Sequence, residues 1–362
     1  MTRLLVRSFA FVLAAVLAGC ATSGYYTQAF SGQLDLWQRM ESIDDLLARP
    51  GTEAPVKVKL GRVRAIREFA SRELGLPDNG SYRKYADLKR PFVVWNVFAT
   101  EEFSLRPREW CFLVVGCVSY RGYFSKTGVD AYAEELKSEG YDVFVGGVPA
   151  YSTLGYFDDP VLSTFINYPE TELARLIFHE LSHQLLYVPS DSAFNESFAA
   201  TVELEGVRRW IETHGKQADK DLFAAAQTRR QDYLALVDQY RGKLNELYTL
   251  PQASADKRAG KRQLFEALQA DYQRLKASWG GFAGYDWIFK QNLNNAFFVS
   301  NALYTQLVPA FQALLARSGG DLQRFYSESG ALAGKSREAR EASFAELLNS
   351  AGGKTAVAAP VH

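Results

Sequence analysis

The chain has 362 residues, 47% of them hydrophobic and 14% aromatic, with 41 Lys+Arg against 41 Asp+Glu. That composition supports a large buried core and excludes extended disorder. A formal net charge of zero argues against a nucleic-acid binder, which carries a basic excess, and three cysteines are too few for a disulfide scaffold.

Arg3 and Arg7 precede an apolar run from Phe9 to Ala18, the pattern of a secretory signal. The run is about half the ~20 residues that a membrane-spanning helix needs. It ends in Leu17-Ala18-Gly19-Cys20, which resembles the bacterial lipobox. The resemblance implies removal of residues 1–19 and lipidation of Cys20. Ala21 in the next position implies sorting to the outer membrane of a Gram-negative cell, facing the periplasm. The alternative is an ordinary signal peptide cut after Ala18-Gly19 or near Ala21. Residues 20–32 then read as a small, polar tether.

Residues 33–89 read as N-terminal helices. Leu34, Leu36, Trp37, Met40, Ile43, Leu46 and Leu47 fall at helical spacing, Pro50-Gly51 breaks the run, and Gly75 with Pro77 ends it. The segment 90–157 is β-rich, with strands over 91–98, 111–124 and 142–147 and a short helix over 128–138. Export makes Cys111 and Cys117 candidates for a disulfide. A straight strand would hold them ~20 Å apart, beyond the ~7 Å limit, so a bridge requires a turn near Val115-Gly116. The other reading is one buried strand with two free thiols.

The sequence places the site helices at 158–215 and a long antiparallel helical hairpin at 216–280, with Pro251 between its arms Asp219–Tyr248 and Ala253–Ser278. The narrow apolar stripe of the hairpin predicts that it projects from the body. Its charged face is either simply solvated or a dock for an envelope protein partner. C-terminal helices fill 281–350, with Asn294–Ala316 as a core helix, and 351–362 reads as a flexible tail.

Two of the four histidines lie in Leu176-Ile177-Phe178-His179-Glu180-Leu181-Ser182-His183-Gln184-Leu185. A spacing of four puts both imidazoles on one face of a helix, one turn apart, where they can bind one Zn²⁺. Glu180 follows the first histidine, so its carboxylate can reach the water the metal activates rather than the metal itself. The expected chemistry is hydrolysis, with Glu180 as general base and zinc polarising the carbonyl. A catalytic zinc needs a third protein ligand and an open fourth position. No third histidine is placed for it, so a carboxylate must serve. Helix one can stop near Val188-Pro189 and return as a second helix from about Ser192. Glu196, in the first turns of that helix, is the expected ligand. Asp191 is its rival but sits where Asp more often caps a helix. Glu203, two turns further along the same face, is expected to orient a histidine through its other nitrogen, with Asn195 in the same supporting layer.

His179-Glu180-x-x-His183 followed by Asn195-Glu196 resembles the glutamate-ligand zinc peptidases of the thermolysin and alanyl-aminopeptidase type. Those families set the glutamate farther downstream, whereas here twelve residues separate it from His183. The shorter gap, the lipobox, the run Cys111–Phe124 and the run Ala150–Tyr156 instead resemble a bacterial family labelled as aminopeptidases and made of predicted lipoproteins. The likeness extends over most of the mature chain. It implies an α+β, mostly helical fold: a small mixed sheet, then a zinc-binding helical core of thermolysin-like type, with the hairpin as an insertion. It also implies a peptide substrate and a strand beside the metal helix to hold it. Ala150, Tyr151, Ser152, Thr153, Leu154, Gly155 and Tyr156 are the candidates for that strand. Tyr304, in the apolar helix near Asn295, is the candidate oxyanion donor, with Asn295, Tyr151 and Tyr156 as alternatives. An aminopeptidase further needs an acid for the substrate's ammonium, for which Glu101, Glu102 and Asp158 are candidates. The competing class is a metal-stabilised lipoprotein scaffold without activity. A zinc endopeptidase or an amide hydrolase would share all the same residues.

Overall fold

The computed structural model describes residues 24–112, 115–302 and 307–350. The fold is α+β and mostly helical, with three small sheets among the described residues. Helix α1 (24–38) begins inside the segment expected to be a tether. Its Tyr25 packs on Phe112 and Tyr123, and the Gln28 side chain accepts from Phe124 N at 3.0 Å. The segment expected to be a tether is thus helical from residue 24, because its aromatic residues find partners that outweigh the small, polar composition around them. Instead of two helices over 33–75, the chain then forms β1 (Met40–Ser42), α2 (Ile43–Ala48) and α3 (Ala54–Arg72). Met40 serves the strand. Ser42 caps α2 by accepting from Asp45 N.

Strand β1 pairs antiparallel with β2 (Lys84–Ala86), which runs parallel to β8 (Val161–Leu162). A second, antiparallel sheet has the order β6-β3-β7, from Arg121–Tyr123, Val94–Glu101 and Tyr141–Val148. Helix α4 (Lys126–Ser138) covers it, burying Val129, Ala133 and Leu136 against Trp95, Val97 and Val143. The hairpin β4 (Trp110–Phe112) and β5 (Gly116–Val118) sets Cys111 directly opposite Cys117. The two form the expected disulfide, with Gly116 at φ 74° supplying the left-handed turn residue.

From residue 170 the described part of the chain is mostly helical. Helices α5 (Glu170–Leu185) and α6 (Ser192–His214) pack along each other at the centre of the largest core. Beyond them come α7 (Gln217–Thr249), α8 (Ser254–Ser278), α9 (Asp286–Phe289), α10 (Asn295–Ala302), α11 (Val308–Arg317), α12 (Leu322–Ala333) and α13 (Arg337–Ser350). The single helix expected over 294–316 is two helices. Pro309 sits at the start of α11, where its missing N–H costs nothing, whereas in a helix interior it would break the hydrogen-bond ladder. The hairpin α7–α8 does not project. Tyr233, Tyr240, Leu268 and Tyr272 form a core with Phe289, Phe297 and Phe298. Tyr248 Oη donates to Asn295 Oδ1 at 2.8 Å, and Arg258 makes a bidentate pair with Glu102. The stripe is narrow because it fits two short helices, α9 and α10, rather than a broad core.

The contact of α5 with α6 depends on Gly206. A Cβ there would lie 2.7 Å from Phe178 and 2.8 Å from Leu74, and Phe178 immediately precedes His179. Gly206→Ala is expected to cost about 1–3 kcal/mol by overpacking. Denaturant unfolding measures this, and an unchanged midpoint would show that the helices can part freely.

Candidate metal centre and active site

Pro169 is the N-cap of α5, Glu170 and Glu172 occupy its first turn, and Leu173, Leu176, Ile177, Phe178 and Leu181 bury its inner face. These features fix the rotation of the helix and turn His179 and His183 toward α6. The return of the chain is set by polar groups. Asp191 caps α6 by accepting from Phe194 N at 3.1 Å and pairs with Arg340 at 2.7 Å, so it is a cap and stands apart from the ligands. Asn195 clamps the turn with both ends of its amide: Oδ1 accepts from Val188 N at 2.7 Å and Nδ2 donates to Val188 O at 2.8 Å. It supports Glu196 through the backbone, and its amide bonds Val188 rather than a histidine.

The structure brings His179, His183 and Glu196 together, with one ligand atom from each lying within 4.8 Å of the other two. His179 Nε2 is 3.2 Å from Glu196 Oε2 and 3.2 Å from His183 Nε2. On the far side of the ring, His179 Nδ1 is 2.8 Å from Glu203 Oε2. A proton on Nδ1 directs the Nε2 lone pair toward His183 and Glu196. Two ring nitrogens and a carboxylate then converge on one point, as the donor set of a cation does. The N₂O donor set and the carboxylate behind a histidine fit zinc. Burial pushes His183 down to about 4, which keeps it a neutral donor at neutral pH. Burial also lowers His179, but hydrogen bonds to Glu196 and Glu203 outweigh it. Burial raises Glu203, yet Arg175 and the bond to His179 hold it well below the usual carboxylate range.

The ring around Glu203 was not expected from the sequence. Glu203 is 1% exposed. It accepts from Arg175 Nη1 at 3.2 Å and from Arg230 Nη1 at 3.1 Å. Arg175 lies one turn before His179 on the same helix face, a spacing that could have revealed it, whereas Arg230 comes from the hairpin and has no local signal. Glu180 faces the cleft beside the ligands. Burial, opposed by His179, raises its carboxyl to about 7, within the range suited to a general base.

His179 and Glu180 lie between two cavities. One, of about 320 Å³, is lined by Val118, Tyr120, Ala150, Leu154, Tyr187 and Glu196, among others. The other, of about 630 Å³, opens toward Arg175, Arg229, Arg230 and Tyr285. Val148 and Ala150 line both. Burial and the nearby Glu196 raise the Tyr120 phenol far above its ordinary value and push Tyr187 up to about 12. Neither tyrosine was singled out by the sequence.

Ala150–Tyr156 is not a strand. Leu154 (φ 56°) and Gly155 (φ 80°) are left-handed, and Tyr156 N donates to Thr153 O at 3.0 Å, closing a tight turn. Ser152 Oγ accepts from Leu154 N at 3.1 Å, and Tyr151 bonds Gln33. The strand ends at Val148, and β7 is the edge of its sheet. Asp159 holds the turn by accepting from Thr153 N at 3.0 Å and Gln184 Nε2 at 3.2 Å. Burial raises Asp159 to about 6. Its folded value thus exceeds the unfolded one, ~3.9. The protonated form favours the fold, and stability falls as pH rises from about 4 to 6, by about 3 kcal/mol in full. Asp159→Asn is expected to flatten that slope and to be the more stable protein at pH 8. Denaturant unfolding across pH checks this, and identical slopes would contradict it.

Other candidates lie elsewhere. Asn295 bonds Tyr248, Asp142 and the Glu102 backbone. Glu102 pairs with Arg258, Asp158 with Lys84 at 3.8 Å, and neither they nor Glu101 line the two cavities. His214 stacks on Trp210 at 3.9 Å. Tyr304 and Cys20 lie outside the described residues. No curated protein and no solved structure matches the chain. The family model described as "Putative aminopeptidase" does match, over residues 24–344, and the chain belongs to that family.

Proposed function

We propose that the protein is a zinc-dependent peptidase of the cell envelope, acting as an aminopeptidase. The observation that carries this reading is the convergence of His179, His183 and Glu196 beside Glu180, with Glu203 behind His179. His179, His183 and Glu196 would hold the metal, which when bound supplies Lewis-acid activation of water and of the scissile carbonyl. Glu180 accepts a proton from the attacking water as the C–O bond forms. It returns that proton to the amine nitrogen as the C–N bond breaks. The edge of β7 near Val148 offers backbone pairing to an extended peptide. Tyr120 keeps its proton and donates to the oxyanion developing at the carbonyl. Tyr120→Phe is expected to lower kcat by about 10²–10³-fold in steady-state assays. A loss confined to KM would remove Tyr120 from this role.

Anchoring at Cys20 to the outer membrane, facing the periplasm, is supported by Leu17-Ala18-Gly19-Cys20 and by the disulfide, which suits an oxidising compartment. Tyr26, Phe30 and Leu34 form an exposed apolar stripe along α1, close after the anchor. No described helix is long and apolar enough to cross a membrane. An envelope partner at 216–280 would have to use the outer face of the hairpin, since the inner face packs on α9 and α10.

One observation favours a second reading, an endopeptidase: the cavities continue on both sides of Glu180. Among the described residues lining them, no carboxylate beyond the ligand, the base and those already paired with arginine is available for a substrate ammonium. A mixture of peptides, free and N-acetylated, incubated with the zinc-loaded protein and read by mass spectrometry separates the two. Stepwise trimming of the free peptides alone establishes the aminopeptidase. Internal cuts in both sets establish the endopeptidase. No Glu180-dependent cleavage in either would overturn both and favour the scaffold or a non-peptide amide.

A further inference from the structure

The larger cavity beside Glu180 carries a cation that the metal centre does not use. Three arginines line it: Arg175, Arg229 and Arg230. Arg175 is neutralised by Glu172 at 2.8 Å and Glu203 at 3.2 Å, and Arg230 by Glu203 at 3.1 Å. Arg229 differs. Among the described residues no carboxylate pairs with it, and its Nε is buried without a hydrogen-bond partner. Its guanidinium lies over the Phe282 ring, 4.2 Å from the centroid, which holds the group in place by a cation–π contact and leaves its hydrogen-bonding edge uncommitted. Among the described residues the acids of this cavity are Glu172, Glu203 and Glu180, and the first two are committed to Arg175 and Arg230.

The rim of the cavity adds to the case. Phe282 is 41% exposed and Trp287 59% exposed, while Tyr285 stacks on Tyr233 with ring centroids 4.3 Å apart. An aromatic rim around one unpaired guanidinium is the chemistry of a pocket for a planar anion, which an arginine fork binds in two-point fashion. Because the same cavity is lined by His179 and Glu180, a group held there belongs to the molecule whose amide bond lies at the metal centre.

We propose that Arg229 is a specificity-determining residue that binds a carboxylate of the substrate, on the hairpin side of the scissile bond. The carboxylate comes either from the C-terminus of a short peptide or from an Asp or Glu side chain. This inference rests on the peptidase reading for the identity of the bound molecule, and its test is arranged so that the two can fail separately.

Binding is measured by calorimetry on the full mature chain carrying Glu180→Gln, so that nothing depends on turnover. The probes are a tripeptide with a free C-terminus, the same peptide as its C-terminal amide, and matched longer amides with Glu or Gln after the expected scissile bond. The free-carboxylate or Glu peptide is expected to bind at least tenfold tighter than its neutral twin. Adding Arg229→Gln is expected to bring the ratio to about one, while Arg258→Gln, which removes a surface pair with Glu102 on the same hairpin, keeps it. Discrimination by the tripeptide pair alone assigns the C-terminus, and by the Glu/Gln pair alone the side chain. Equal affinity for both members of each pair, no binding of any probe, or a ratio that survives Arg229→Gln would overturn the inference. Hydrolysis of the same peptides by the wild-type protein is scored separately. Cleavage without discrimination leaves the peptidase reading intact and removes Arg229 from it, whereas discrimination without cleavage does the reverse.

Discussion

Glu180→Gln is expected to lower kcat by about 10²–10⁴-fold, the usual contribution of a general base, while zinc content and fold are retained. The amide has the shape of the carboxylate and cannot accept the proton of the attacking water. Glu180 is not among the three residues whose ligand atoms converge, so its replacement leaves the donor set whole. It neighbours His179 in sequence yet makes none of the bonds that hold His179, which go to Glu196 and Glu203. Parallel measurement of kcat and metal stoichiometry separates chemistry from assembly. Loss of metal in step with loss of activity would make Glu180 a structural residue and contradict the assignment.

The second large effect falls on Glu203. Its carboxylate collects His179, Arg175 and Arg230 while itself 1% exposed. Glu203→Ala leaves two guanidinium groups facing each other across a hole and frees the His179 ring to turn. Breaking a buried pair from one side costs about 3–5 kcal/mol. The lower end applies here, because the Arg175 and Arg230 side chains retain 31% and 28% exposure. Zinc affinity is expected to drop by about 10–100-fold, since the partner that fixes the Nδ1 proton of His179 is gone. Glu203→Gln, which keeps an acceptor for Nδ1 and loses the charge, should recover part of the affinity and little of the stability. Denaturant unfolding and competition with a chelator read the two effects. A variant that loses neither would show that Arg175 and Glu203 form an ordinary surface pair.

The cluster of His179, His183 and Glu196 was legible in the sequence because its information is local. A four-residue histidine spacing on a helix has one geometric meaning, and Glu196 and Glu203 share a face of the returning helix. The walls of the cleft were not legible, for the opposite reason. Tyr120 comes from the loop after β5, Asp159 from the approach to β8, and Arg229 and Arg230 from the middle of a hairpin whose charge looked like plain solvation. Each reaches the cleft only through contacts far apart in the chain. The segment Ala150–Tyr156 shows a different failure. Its Tyr and Thr residues have strand propensity, but Leu154 and Gly155 take up a turn that Asp159 and Gln184 hold from outside. The hairpin's docking was missed because a stripe of Tyr and Leu one residue wide resembles a coiled-coil seam, and nothing local says that α9 and α10 will complete its core.

The account stands on one metal held by two histidines and a glutamate, and native mass spectrometry after zinc loading and dialysis tests this most directly. The expected result is one zinc per wild-type chain, one per Glu180→Gln chain, and none on Glu196→Ala. Wild-type protein without zinc, or Glu196→Ala that keeps it, would contradict the account.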